Sequence, residues 1–444
     1  MNNSSTTSEQ IHLLNNIKNF YNKNKINNID NYKNSFSFFS SYDQDSNGYS
    51  LLKYYISKKN IFFLLKNFIR NFLLSFYPRD LDVKKNKQNF DYNKIIISWS
   101  NYDNFNKNGS YNDKYFNVNS RIKKKTLWFL IHLDNKIPKK IDDNIIILFQ
   151  KNNRIQFIKF FKFIFNLNYI FVNFKKMICE QSNLVITGNE FANIFLKCLN
   201  QNVKRIITPY EGQPFQSIII KETKDYNKNI KILGYIQSFP PAFPSNLFFR
   251  QGCPDKLIVN GYDQKYCLTK FLNWKKQNII ISHSTRFINE KKDMSNCIFL
   301  PINFSSSNFI INQLRIIVKK KLFNNNCIVK NHPQSIRSKK HINLIKKINL
   351  LKKENYKNII LNNSLEKQSI FIGATSSVIE ALERGADVVH IVKEPIIESY
   401  NSAFWPNIKV YRLSEFIYKY SLKESGKLIK FGYKNKTFNK YLSF

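Results

Sequence analysis

Short runs of β-branched and apolar residues recur along this chain. Each closes on a loop residue such as Gly, Asn, Pro, Ser or Thr, and helical stretches lie between several of them. KIIISWS (Lys94–Ser100), NIIILF (Asn144–Phe149), NLVIT (Asn183–Thr187), KRIITPYEG (Lys204–Gly212), KILGYIQS (Lys231–Ser238) and KLIVNG (Lys256–Gly261) form a first series. A second begins near Asn278 with NIIISHS and continues through NCIFLPIN, the helical INQLRIIVKKKLF, NCIVKNHPQ, YKNIILN, SIFIGATSS, the EALERG helix and DVVHIV. Runs that are apolar throughout belong to strands buried on both faces, which is the situation in a parallel sheet covered by helices. At 444 residues the chain exceeds the roughly 250–300 at which one core stops growing. Two successive α/β units are therefore expected, joined around residues 265–277, with no sequence repeat between them.

Composition bounds the partners. Lys plus Arg total 70 against 30 Asp plus Glu, a balance suited to nucleic acid, an anionic membrane surface or phosphorylated ligands. The lysines are scattered, however, and Asn, Ile, Phe and Tyr are heavily used too, as AT-rich coding drift produces without selection for a ligand. No nucleic-acid partner is expected. The six cysteines, at positions 179, 198, 253, 267, 297 and 327, include no CxxC pair and no His at ligand spacing, which points to a reduced, cytoplasmic compartment and no metal. The first residues lack the basic start and apolar core of an export signal. Two basic aromatic segments, Ile61–Pro78 and Ile155–Ile178, read either as core helices or as surfaces lying on an anionic membrane.

Chemistry concentrates in FIGATSSVIEALERGADVVHIV (Phe371–Val392). A buried strand ends at Gly373, a loop of small and hydroxyl residues follows, and Ser377-Val-Ile-Glu380 fits a capping box, with Gly385 at the helix end. Free N–H groups and the hydroxyls of Thr375, Ser376 and Ser377 suit a phosphate, although the same residues also suit a plain helix cap. In CIVKNHPQS a second strand ends at Lys330, with Pro333 holding His332 extended at the sheet's carboxyl edge.

Strand-KxHP followed by strand-GxTSSxxxEALxxG resembles the nucleotide-binding domain of GT-B glycosyltransferases. The likeness is to bacterial transferases that use CMP-activated sialic acid or Kdo, and to surface-carbohydrate biosynthesis proteins. It implies an α/β fold of two Rossmann-like domains facing a central cleft: an N-terminal extension over 1–92, an acceptor domain over 93–270 and a nucleotide-sugar domain over 271–444. It also implies that His332, Ser376 and Ser377 hold the nucleotide phosphate beside Lys330 and Thr375, and that Glu380 meets the ribose. PYEGQPF and GYIQS resemble a further pattern of the surface-carbohydrate group, here with Gln237-Ser238 where a Gln-His-Ser stands. By the same resemblance Glu211 becomes the general base on an acceptor hydroxyl, while Asp103, Asn108 and Gly109 shape the acceptor side.

The implied reaction is metal-independent transfer of a sugar from a nucleotide donor, CMP-activated by preference, to a surface polysaccharide or lipid-linked glycan. The nucleotide-sugar is a co-substrate and no cofactor is expected; the site of action is the inner face of a membrane. A polyol-phosphate transferase of CDP-glycerol type, a sugar epimerase, a basic nucleic-acid-binding protein and a non-catalytic scaffold of the same fold remain open.

Overall fold

The computed structural model describes residues 4–26, 81–86, 90–120, 125–151, 183–288, 293–304, 306–323, 327–332, 335–336, 338–354 and 367–433. Both basic aromatic segments, the run YKNIILN, Cys179, Pro333 and Gln334 lie outside these residues. In chain order the first unit contains α1 (Ser4–Ile26), β1 (Leu81–Lys85), β2 (Lys94–Ser100), the small hairpin β3–β4 (Asn112–Asp113, Val118–Asn119), β5 (Thr126–His132) and β6 (Ile145–Gln150). It continues with α2 (Asn183–Leu196), β7 (Arg205–Pro209), α3 (Pro214–Tyr226), β8 (Lys231–Tyr235), β9 (Lys256–Val259), α4 (Tyr262–Phe271) and β10 (Ile279–Ile281). The second unit contains β11 (Cys297–Phe299), α5 (Ser307–Lys319), β12 (Ile328–Lys330), α6 (Lys339–Glu354), β13 (Gln368–Ile372), α7 (Ser377–Glu383), β14 (Asp387–Ile391), α8 (Pro395–Glu398), β15 (Ile408–Arg412) and β16 (Ile417–Leu422).

These strands form two separate, mostly parallel sheets. The first has eight strands in the order β1-β6-β5-β2-β7-β8-β9-β10, parallel except at the β1 edge; the second has six in the order β12-β11-β13-β14-β16-β15, with β16 antiparallel to both neighbours. The arrangement is that of a GT-B-like two-domain α/β protein. Two expectations change. Ile279–Ile281 pairs with β9 and completes the first sheet instead of opening the second. NLVIT begins the helix α2, because β-branched propensity yields to tertiary context: α2 crosses α3 so closely that a Cβ on Gly188 would lie 2.7 Å from Phe215 Cα. Within the N-terminal extension the described residues include a 23-residue helix whose Gln10 donates to Ile396 O and Ser399 O at 2.9 Å in the second unit.

The units share one apolar join. Phe404 and Trp405, both fully buried, leave the second sheet and pack on the first: the Trp405 ring centroid lies 4.8 Å from Phe239, and its Nε1 donates to Ala242 O at 3.0 Å. The chain then returns to the first unit over 425–432. Buried Glu383 accepts the N–H groups of Gly426, Leu428 and Ile429, and Lys430 N donates to Asn260 O. Gly261 is required where this strap crosses, since a Cβ there would sit 1.8 Å from Leu428 O. Replacing Trp405 by Ala is expected to cost about 3–5 kcal/mol; a denaturant midpoint unchanged from the parent would show that the join does not stabilise the pair of domains.

Candidate active site

Parallel sheets expose ligands to the loops at their carboxyl edges, above all where strand order reverses direction. In the first sheet the reversal falls between β2 and β7, and Glu211 follows β7 by two residues. The turn carrying it is tightly held. Gln216 Oε1 accepts Glu211 N at 2.8 Å and Gln213 N at 3.1 Å, Asn246 Nδ2 donates to Glu211 O, and Gly212 takes φ +69° where a Cβ would strike Asn246 O. Gln213 Nε2 donates to Glu211 Oε2 at 3.0 Å, leaving the carboxylate aimed but not fully occupied. Desolvation pushes its pKa above the usual carboxylate range, with Arg286 and Gln213 pulling the other way. A carboxylate so perturbed is a better base than a solvated one.

In the second sheet the reversal falls between β11 and β13. The Gly373 loop leaves β13 there, and Gly373 needs its φ of +71°. His390, buried on β14, donates through Nε2 to Gly373 O at 2.8 Å and so fixes that peptide. The capping box does not form. Ser376 is the N-cap without a side-chain cap bond, Thr375 Oγ1 accepts Ser377 N at 3.3 Å, and Glu380 accepts Arg384 Nε at 3.1 Å. A nearly buried carboxylate gains more from a guanidinium one turn away than from a neutral N–H. The α7 end is a Schellman motif, with Gly385 at φ +85° and Ala386 N donating to Ala381 O. At seven residues α7 has only a small dipole. The longer α5, capped by Ser306, opens beside the same loop, and its first turn with Pro301, Gly373 and Ala374 lines a cleft of about 190 Å³.

β12 and β13 flank β11 as parallel strands, so Lys330 and His332 leave the sheet on the same edge as Thr375, Ser376 and Ser377, about 10 Å away by strand spacing. Lys330 Nζ stands 5.4 Å over the Phe299 ring. The His332 pKa is lowered, first by burial and then by Arg286 and His341. The imidazole is thus neutral at neutral pH and suited to hydrogen-bonding an anion. Asn108 and Gly109 fix a turn against Ile141, where a Cβ on Gly109 would meet backbone at 3.0 Å. Asp103 lies in a short 3₁₀ turn.

Arg286 was not singled out by sequence reasoning, yet its charge acts on both Glu211 and His332, one from each sheet. It donates to Ser238 Oγ, which explains how the Gln237-Ser238 pair is used here. The guanidinium also lines a cleft of about 280 Å³ with Trp99, Ser100, Asn101, Asn104, Lys114, Tyr115, Leu133 and Gln237. The only advance signal was the rarity of Arg beside Lys in this chain. Among the described residues no group of three His, Cys, Asp or Glu could hold a metal ion, the cysteines are unpaired, and no helix is long and apolar enough to cross a membrane. No protein-family model matches the chain, and no curated protein matches it either.

The His390 contact carries a pH signature. Burial lowers its pKa to about 4, against the pull of the Gly373 bond, while the unfolded chain titrates near 6.5. The unfolded state therefore binds the extra proton first as pH falls, so the contribution is complete above about 6.5 and disappears towards 4. The stability gap between the parent and His390→Gln should narrow by roughly 2–3 kcal/mol from pH 7.5 to 4.5. Denaturant titrations giving a pH-independent gap would refute this.

Proposed function

We propose that the protein is a glycosyltransferase that moves a sugar from a nucleotide donor, CMP-activated by preference, to a hydroxyl of a surface polysaccharide or lipid-linked glycan. The observation that carries the reading is electrostatic: Arg286 acts at once on Glu211, at the reversal point of the first sheet, and on His332, at the carboxyl edge of the second. A base and an anion-binding imidazole on facing edges are the two groups such a transfer requires. Glu211 takes the proton of the acceptor hydroxyl, whose oxygen bonds to the anomeric carbon as the bond from that carbon to the phosphate oxygen breaks. His332, Ser376 and Ser377, with Lys330 and Thr375 beside them, donate hydrogen bonds to the charge developing on the departing nucleotide. Glu380, engaged with Arg384, would have to share its carboxylate to meet the ribose.

Two measurements test the reading together. In a melting panel of CMP, UDP, GDP and CDP, the preferred nucleotide at a hundredfold its Kd adds about 2.7 kcal/mol of stability, and replacing both Ser376 and Ser377 by Ala weakens that shift. Glu211→Gln abolishes transfer and leaves the nucleotide shift intact. Transfer undiminished in Glu211→Gln, or a melt indifferent to all four nucleotides, defeats the reading.

A further inference from the structure

We propose that the cleft over the carboxyl end of β2 is the subsite for an anionic sugar unit, carboxylated or phosphorylated, held by Lys114 and Arg286 against Trp99 and Tyr115. Its place as the acceptor subsite rests on the transferase reading; its chemistry does not. At about 280 Å³ the cavity has room for a sugar ring with its substituents, and the partly exposed Trp99 and Tyr115, with Leu133, supply an apolar wall. Lys114 and Arg286 are both exposed, and neither forms an ion pair among the described residues. No Asp or Glu is found among the described lining residues. Two cations without a carboxylate between them repel each other, and an anion relieves that.

Their spacing is built in. Gln237 Nε2 donates to Tyr115 O at 3.1 Å and to Lys114 O at 3.3 Å, and Thr285 Oγ1 donates to Tyr115 O at 2.8 Å, so the loop bearing Lys114 is tied to the residue before Arg286. From below, buried Asp113 accepts Tyr111 Oη at 2.7 Å as well as Ser98 Oγ and Phe116 N, anchoring the same loop to β2. Arg286 spends one N–H on Ser238 Oγ and keeps a planar edge for two parallel bonds to a carboxylate or phosphate. With the backbone beneath both cations set before the ligand arrives, only the side chains remain to be ordered on binding.

Ligand-observed NMR titrations of the full chain with methyl glucuronide, glucose 6-phosphate and methyl glucoside test the proposal without requiring turnover. Both anionic sugars should bind at least about tenfold more tightly than the neutral one. Arg286→Gln and Lys114→Gln, both at exposed positions and checked for an unchanged melt, should each remove about tenfold from the anionic sugars and leave methyl glucoside unaffected. Equal binding of the three sugars, or an anionic preference that survives the double variant, overturns it. So does a CMP melting shift that disappears in either variant while CMP displaces the sugars, for the two cations would then serve the nucleotide phosphate. If no nucleotide shifts the melt but the anionic preference holds and depends on both cations, the subsite stands and the transferase reading is what fails.

Discussion

The transferase reading, which draws on residues of both sheets, depends on the apolar join around Trp405. A parallel sheet can present side chains only at its carboxyl edge, and two such edges make one site only when something holds them face to face. At that join Phe404 and Trp405 bury large aromatic surface against Phe239, Phe243 and Phe271, and Trp405 adds a directional bond to Ala242 O. The strap over 425–432, pinned by the Glu383 carboxylate, closes the same junction from the other side. Aromatic contacts supply most of the energy here, while the carboxylate and the indole N–H set the register.

Within that frame the charges have a clear division of labour. Glu383 and Asp263 are buried and spend their oxygens on backbone and amide donors of the segments they tie down. Glu380 is held by Arg384. Glu211 is half-buried and Arg286 exposed, and the Arg286 charge lowers the Glu211 pKa against the effect of burial.

The strand-rich texture made most of the architecture legible. A run such as Lys94–Ser100 or Asp387–Ile391 is mostly β-branched and apolar because both of its faces are covered, and that pattern survives any change of loops. The hydroxyl loop after Ile372 and the His after Lys330 could be read as belonging to one sheet edge for the same reason. What misled was local preference taken alone. NLVIT has the composition of a strand but lies in a helix packed at Gly188, and the S-x-x-E spacing at Ser377 has the form of a cap whose carboxylate is drawn instead to Arg384. Thr126–His132, as apolar as its neighbours, went unread although Asp134-Asn135 and Pro138 follow it as loop signals. Arg286 was invisible in a chain full of scattered cations.

The order of residues alone dictated the class of structure: alternating buried strands and helices, two sheets, and hydroxyl-, imidazole- and carboxylate-bearing loops at strand ends, since periodicity and turn chemistry are local properties written along the chain. The partnership of Arg286 with Glu211 and His332, the choice of Glu380 between cap and guanidinium, and the setting of Lys114 beside Gln237 came from folding. The first and the last depend on groups far apart in the chain, whose meeting is fixed by tertiary packing and strand order, whereas Glu380 and Arg384 stand one helical turn apart and burial decides between cap and guanidinium.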